Sequence, residues 1–273
     1  MRPCHLCWPI KTVTLLILVI AAQNSFAENP VGIGKDKYNV NIGYFLPAVS
    51  TKLRADSVTL GRGTEINLED DLGLDSNQNT GIVNAYVRLA QRHRVGLGYF
   101  RLNRSATGLI DKTIQFEDRV FVVNTQVSTK FNNDIIFFNY MYSVFQKKNA
   151  ELSLALGLHY MSTETSLSTS GGSISSSTDA QAPLPVIGLE YRYAATPKLH
   201  LGLLAQWFEV DAGDFSGAIR NLNASLEYFV QKNVSVGVGY NNFNINVDAT
   251  GSNFLGELDW TYKGFQAFTS IRF

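Results

Sequence analysis

The sequence predicts an all-β fold: a transmembrane antiparallel up-and-down β-barrel of about ten strands, with eight or twelve as alternatives, behind a cleaved signal peptide. Three observations carry this. Period-two alternation of apolar and polar residues recurs from about residue 37 to the end of the chain. No stretch beyond the N-terminal region is uniformly apolar for the ~20 residues a helical span needs. Short turns at 92–93, 146–149, 196–198 and 231–233 alternate with longer loops, the asymmetry of a barrel with one short-turn side.

The elements follow in order. Arg2, His5 and Lys11 precede the apolar run Val13–Ala22, and Ser25-Phe26-Ala27 has the small-x-small form of a signal-peptidase site. Residues 1–27 are therefore expected to be removed, leaving 28–273 as the barrel. Cys4 and Cys7 go with the signal, so the mature chain carries no disulfide or cysteine metal site. Losing Arg2 and Lys11 leaves 21 basic against 23 acidic residues, with no basic patch for nucleic acid. A hydrophobic content of 45% with mean hydropathy of −0.02 suits a barrel, in which only alternate residues meet lipid.

Tyr38, Val40, Ile42, Tyr44 and Leu46 alternate along a first strand, and Thr51, Leu53 and Ala55 continue it with shifted parity. We read 37–57 as one strand bulged near Pro47, because splitting it would give an odd strand number and put the termini on opposite sides. Further strands are expected around 80–90, 94–108, 136–144, 152–160, 187–193, 199–207, 222–228 and 234–240. The last, 258–273, carries Leu258, Trp260 and Tyr262 outward, slips near Gly264 and ends on Phe273; a second slip falls at Asn241-Asn242. The segments 61–79, 109–128, 163–182 and 211–217 read as loops, the third as a flexible Ser/Thr/Gly-rich tip. Aromatic residues are expected at the two interfaces: Tyr160, Trp207, Tyr240, Trp260 and Tyr262 on one, Phe145, Tyr193, Tyr228 and Phe273 on the other.

Five stretches, GTEINLEDDLGLD (63–75), VRLAQRHRVGLGYFRLNR (87–104), IQFEDRVF (114–121), APLPVIGLEYRY (182–193) and the terminal IRF, resemble a family of Gram-negative outer-membrane β-barrel proteins. The resemblance implies an outer-membrane location. It also implies outer-membrane lipids and lipopolysaccharide as surroundings, with periplasmic chaperones and the barrel-assembly machinery as partners in biogenesis. It carries over no catalytic or ligand residue.

Strand parity places Arg88, His159, Glu190, Arg192, Glu227, Asp259 and Arg272 on the lumen face. In a barrel this narrow such charges are expected to pair and fill the interior. Phe265, Ile271 and Phe273 form the outward face of the closing strand and are expected to act as the assembly signal. The acidic run Glu65, Glu69, Asp70, Asp71 and Asp75 lacks EF-hand spacing and reads as a solvated loop or strand end. His159 stands near Ser162 and Glu164, but Ser162 has opposite parity, so no hydrolytic dyad is expected. No catalytic residue, cofactor or metal is assigned. The expectation is a non-enzymatic barrel, structural or weakly pore-forming. The alternatives are a passive small-solute channel and a lipid A-modifying enzyme, and Glu227→Ala is expected to make a silent barrel leaky.

Overall fold

A computed structural model describes residues 30, 32–250 and 255–273. The signal segment, its cleavage after Ala27, Cys4 and Cys7 lie outside the described residues. The strands are β1 (Tyr38–Ala55), β2 (Ile66–Asn67), β3 (Thr80–Ala90), β4 (His93–Leu109), β5 (Ile114–Phe116), β6 (Arg119–Phe121), β7 (Gln126–Gln146), β8 (Ala150–Thr169), β9 (Ser175–Ala194), β10 (Leu199–Ala212), β11 (Phe215–Phe229), β12 (Val234–Thr250) and β13 (Leu255–Arg272). Ten of them, all but β2, β5 and β6, follow one another antiparallel, and β13 returns to β1 from Asn39↔Arg272 to Ala55↔Gly256. The barrel is closed and has ten strands, as the sequence predicts. Closure leaves no sheet edge in lipid.

The outward face carries an apolar band, about nine residues long on β1 and β13 and shorter on some other strands. On β1 it reads Tyr38, Val40, Ile42, Tyr44, Leu46; on β8 Leu154, Leu156, Leu158, Tyr160; on β13 Phe265 to Phe273. This length crosses a bilayer when the strand is tilted. Beyond the band the two faces exchange character. Above Leu46 the outward residues of β1 become Ala48, Ser50 and Lys52, while Val49 and Leu53 fill the interior. On β12, Phe243 and Ile245 turn inward above Tyr240; on β13, Leu258, Trp260 and Tyr262 do so above Phe265. These three switch points are in register, Leu46↔Phe265 and Tyr240↔Phe265.

This exchange corrects several expectations. There is no bulge at Pro47, which pairs with Gly264 in an unbroken ladder, and no slip at Asn241-Asn242 or Gly264. The parity change marks where lipid outside and polar groups inside give way to water outside and a protein core inside. Trp260 and Tyr262 are core residues, 1% and 3% exposed, rather than interfacial ones. Asp259, expected in the lumen, lies on the outward face beside Asn244, whose Nδ2 is 3.4 Å from Oδ1. Register shifts do occur at Arg88/Ala90 and at Ser143/Phe145.

Two of the expected loops are folded. Residues 56–79 return into the barrel mouth, burying Leu68, Leu72 and Leu74 and pairing Ile66 with Leu53. Residues 109–125 contain the β5–β6 hairpin, whose Ile114, Phe116 and Phe121 join the same core. The Ser/Thr-rich segment 163–182 is strand on both arms, with Val127↔Thr169 and Ser168↔Ser175 marking how far β7, β8 and β9 rise; only 170–174 form the tip.

Among the described residues the wall has a seam between β9 and β10. Pairing of β9 with β10 ends at Ile187↔Trp207, although both strands continue. Ala195 donates to Leu199, so odd residues of β9 address β10, and in continued register Pro185 and Pro183 would face Glu209 and Asp211. Neither proline has an N–H to give, and the ladder stops. The double substitution Pro183→Val/Pro185→Val restores two donors. Hydrogen exchange at the Glu209 and Asp211 amides should slow in that variant; unchanged exchange would mean that something other than the prolines holds the seam open.

Candidate functional site: the barrel lumen

The interior has three levels. At the short-turn end, strand parity and the chain entering β1 bring four guanidinium groups (Arg88, Arg94, Arg192, Arg272) against four carboxylates (Asp36, Glu151, Glu190, Glu227). Arg88 holds Glu151 through two bonds of 2.9 and 3.1 Å, and Ser143 donates to Glu151 at 2.5 Å. Arg192 lies between Asp36 at 3.3 Å and Glu151 at 3.4 Å, while Arg94 bonds Glu190 and Arg272 bonds Glu227. Such buried charges are tolerable only because each has a partner. Glu190 is the most exposed of the eight, at 18% of its side chain.

Asp36 reaches this floor from the segment before β1. Its backbone oxygen accepts from Arg88 Nε at 3.1 Å, and its carboxylate accepts from Tyr86 Oη. Burial alone would raise its pKa, but Arg192, Arg272, Arg88 and Arg94 outweigh burial and hold the carboxyl below its ordinary range. The folded pKa is depressed, so this contribution is present above the unfolded carboxylate range and lost as pH falls through the folded value. Unfolding midpoints should therefore be flat from neutral down to about pH 5 and fall below it. In an Asp36→Asn variant that acid-dependent loss should shrink.

The middle level is a belt of amides and glycines. Asn84 faces Gly98, Asn139 faces Gly157, Gln206 faces Gly188 and Gln266 faces Gly239 across adjacent strands. The glycines leave room for the amides to lie against the wall: a Cβ on Gly157 would come 2.6 Å from Asn139 Oδ1, and one on Gly239 would come 2.7 Å from Gln266 Nε2. What remains at the centre is a cavity of about 260 Å³.

The upper level is apolar. Phe45, Phe100 and Tyr262 meet edge to face at 5.2–5.8 Å, and Phe243 stacks on Tyr262 at 4.9 Å. Above them the core is continuous with the infolded segment 56–79. Glu69 ties that segment to the wall: it accepts from the Thr51 amide at 2.8 Å and pairs with buried Arg104. Asp71 pairs with Lys112 at 2.6 Å, and Asp70 accepts from Asn67 Nδ2 at 2.7 Å. Part of the acidic run thus anchors the roof. Among the described residues no three His, Asp or Glu side chains converge in a metal-holding arrangement.

Of the seven lumen residues predicted from sequence, Arg88, Glu190, Arg192, Glu227 and Arg272 meet in the floor. His159 sits higher, between Phe137 at 4.7 Å and Phe243 at 5.8 Å, with no hydrogen bond at either ring nitrogen. Ser162 and Glu164 are on the other face of β8. His93 bonds Tyr140 Oη at 2.6 Å near the short-turn end, and His200 lies 3.4 Å from Arg272 in the floor. Sequence reasoning missed Arg94, Glu151 and Asp36. Parity signals the first two, two positions before Gly96 and Ser153; nothing signals Asp36, which precedes the strand. Phe265 and Phe273 face outward and are exposed, as expected of the closing strand.

No family model matches the chain, and no curated protein does. Among solved structures, the outer membrane protease OmpT of Escherichia coli superposes with a TM-score of 0.53 at 13% identity, over 87% of this chain and 97% of that one. Ail of Yersinia pestis, solved with a heparin analogue, gives 0.37 at 11% identity (86% and 98%). The toluene transporter TbuX of Ralstonia pickettii gives 0.36 at 12% identity (90% and 92%). At these identities the likeness concerns the fold. The closed ten-stranded barrel with a lipid-facing apolar band has the fold of the integral outer-membrane β-barrels of Gram-negative bacteria.

Proposed function

We propose that this is a non-enzymatic structural barrel whose lumen is sealed twice, by the ionic floor and by the apolar roof. The observation that carries the reading is the second seal. Trp260, Phe243 and Phe100 are buried inside the barrel at 1–2% exposure, on the lumen faces of three different strands. Water and ions crossing such a core would lose their hydrogen bonds without replacement.

The two seals act in series, which changes one expectation. Loss of Glu227 weakens the floor but leaves the roof, so Glu227→Ala should be less stable and still silent. The band sits among outer-membrane lipids and lipopolysaccharide, and chaperones and the assembly machinery act during biogenesis, with Phe265, Ile271 and Phe273 offered outward. The three described histidines, His93, His159 and His200, belong to the wall, core and floor, which favours a non-enzymatic role over lipid modification.

The test has two arms. Vesicles carrying the wild-type protein should retain trapped potassium as well as empty vesicles do; rapid efflux sinks the sealed reading in favour of a channel. Lipid A from cells overproducing the wild type should match that from cells making His159→Ala; a modification present only with the wild type sinks the non-enzymatic reading.

A further inference from the structure

We infer that the amide belt between floor and roof is a binding site for one small, neutral, hydroxyl-rich molecule of about the size of a single sugar ring. Carboxamides are the commonest kind of polar group facing the cavity, and each is able both to donate and to accept. Part of the set is spent internally: Gln206 donates to Asn139 at 2.7 Å and Asn221 donates to Gln206 at 2.9 Å. Asn84 and Gln266 make no hydrogen bond among the described residues, although both line the cavity. Gln266 is only 7% exposed as a residue, and its amide borders the cavity with no hydrogen bond to the described residues. Amides inside a barrel are normally satisfied by protein, water or a bound molecule.

Pairing weighs against charged ligands. Arg94, Arg192 and Arg272 border the cavity with Glu190 and Glu227, but each guanidinium is already held by a floor carboxylate (Glu190, Asp36 and Glu227 respectively), so none is left unpaired for a phosphate. A hydrocarbon would leave the amides unsatisfied. A polyol presents donors and acceptors around its edge to the belt and C–H groups to Phe45, Phe100 and Tyr262, which close the cavity from above. At about 260 Å³ the space lies just below the ~300–1,000 Å³ of drug-sized pockets, which limits the occupant to one ring. The seam between β9 and β10 begins one residue beyond the Gln206↔Gly188 pair, but buried Leu184 and Val186 close its lumen side, so the occupant exchanges only when that segment opens transiently and the seals stay intact at rest.

The site is tested on the full-length refolded protein by equilibrium dialysis with labelled D-glucose and labelled glycerol, with inorganic phosphate and toluene as comparison probes. The wild type should bind at least one of the two polyols saturably, at one site per barrel. The variant Asn84→Leu/Gln266→Leu keeps floor and roof and should bind about tenfold or more weakly, as expected for two lost hydrogen bonds. Its unaltered heat-modifiable mobility would show that the barrel still forms. No saturable polyol binding by the wild type means a hydrated cavity only and overturns the inference. So does equal binding by the folded variant, or preferential binding of phosphate or toluene. Potassium retention by the same vesicles reports separately on whether the lumen is sealed.

Discussion

Glu151→Ala should be the most damaging single substitution in the floor, costing about 3–5 kcal/mol. Glu151 is fully buried and touches three guanidinium groups: Arg88 at 2.9 Å, Arg192 at 3.4 Å and Arg94 at 3.8 Å. Its removal leaves those cations without their common partner in a place that water does not reach. Removing one member of a buried pair costs far more than replacing both. Glu151→Met/Arg88→Met should therefore recover much of the loss. Urea unfolding in lipid vesicles gives the comparison; equal stability of wild type and Glu151→Ala would mean that the floor is hydrated and open.

Trp260→Ala should cost a similar amount, about 3–5 kcal/mol, for a different reason. Trp260 is 1% exposed and packs at 6.0 Å from Phe243 and 5.3 Å from Tyr262, so truncation empties the centre of the roof. Its indole N–H has no hydrogen-bond partner, so Trp260→Phe gives up ring volume but no polar contact and should lose much less. Had Trp260 been an outward interfacial residue, alanine would cost little, and in a Trp207→Phe background the Trp260 fluorescence would respond to lipid-borne quenchers. Both measurements separate the two placements.

The sequence carries the barrel well and the interior only in part. Alternation on β8, from Leu152 to Tyr160, and on β13, from Phe265 to Phe273, reflects lipid on one face, which is a constraint on every second residue. Above the lipid that constraint reverses, and a reversal of parity in a sequence looks the same as a bulge. This is why Pro47, Asn241 and Gly264 read as irregularities and why Leu258, Trp260 and Tyr262 were assigned to the wrong face, taking Asp259 with them. Only the pairing Leu46↔Phe265↔Tyr240, which depends on the closed barrel, shows that the three reversals belong to one boundary. The floor was legible where parity alone places a charge, as for Arg88 and Glu227. It was not legible at Asp36, whose place depends on how the chain folds back under the barrel.

The central claim is that two independent seals lie in series along one lumen, and electrical recording in planar bilayers tests it most directly. Wild type should show no steady conductance, and neither should Glu227→Ala. A variant that loses the roof, with residues 56–79 replaced by a short Gly/Ser tether and Phe100, Phe243 and Trp260 by serine, should remain nearly silent while its floor is intact. Combining those changes with Glu227→Ala should produce stable open channels. Steady conductance by the wild type, or full opening by Glu227→Ala alone, would contradict the account.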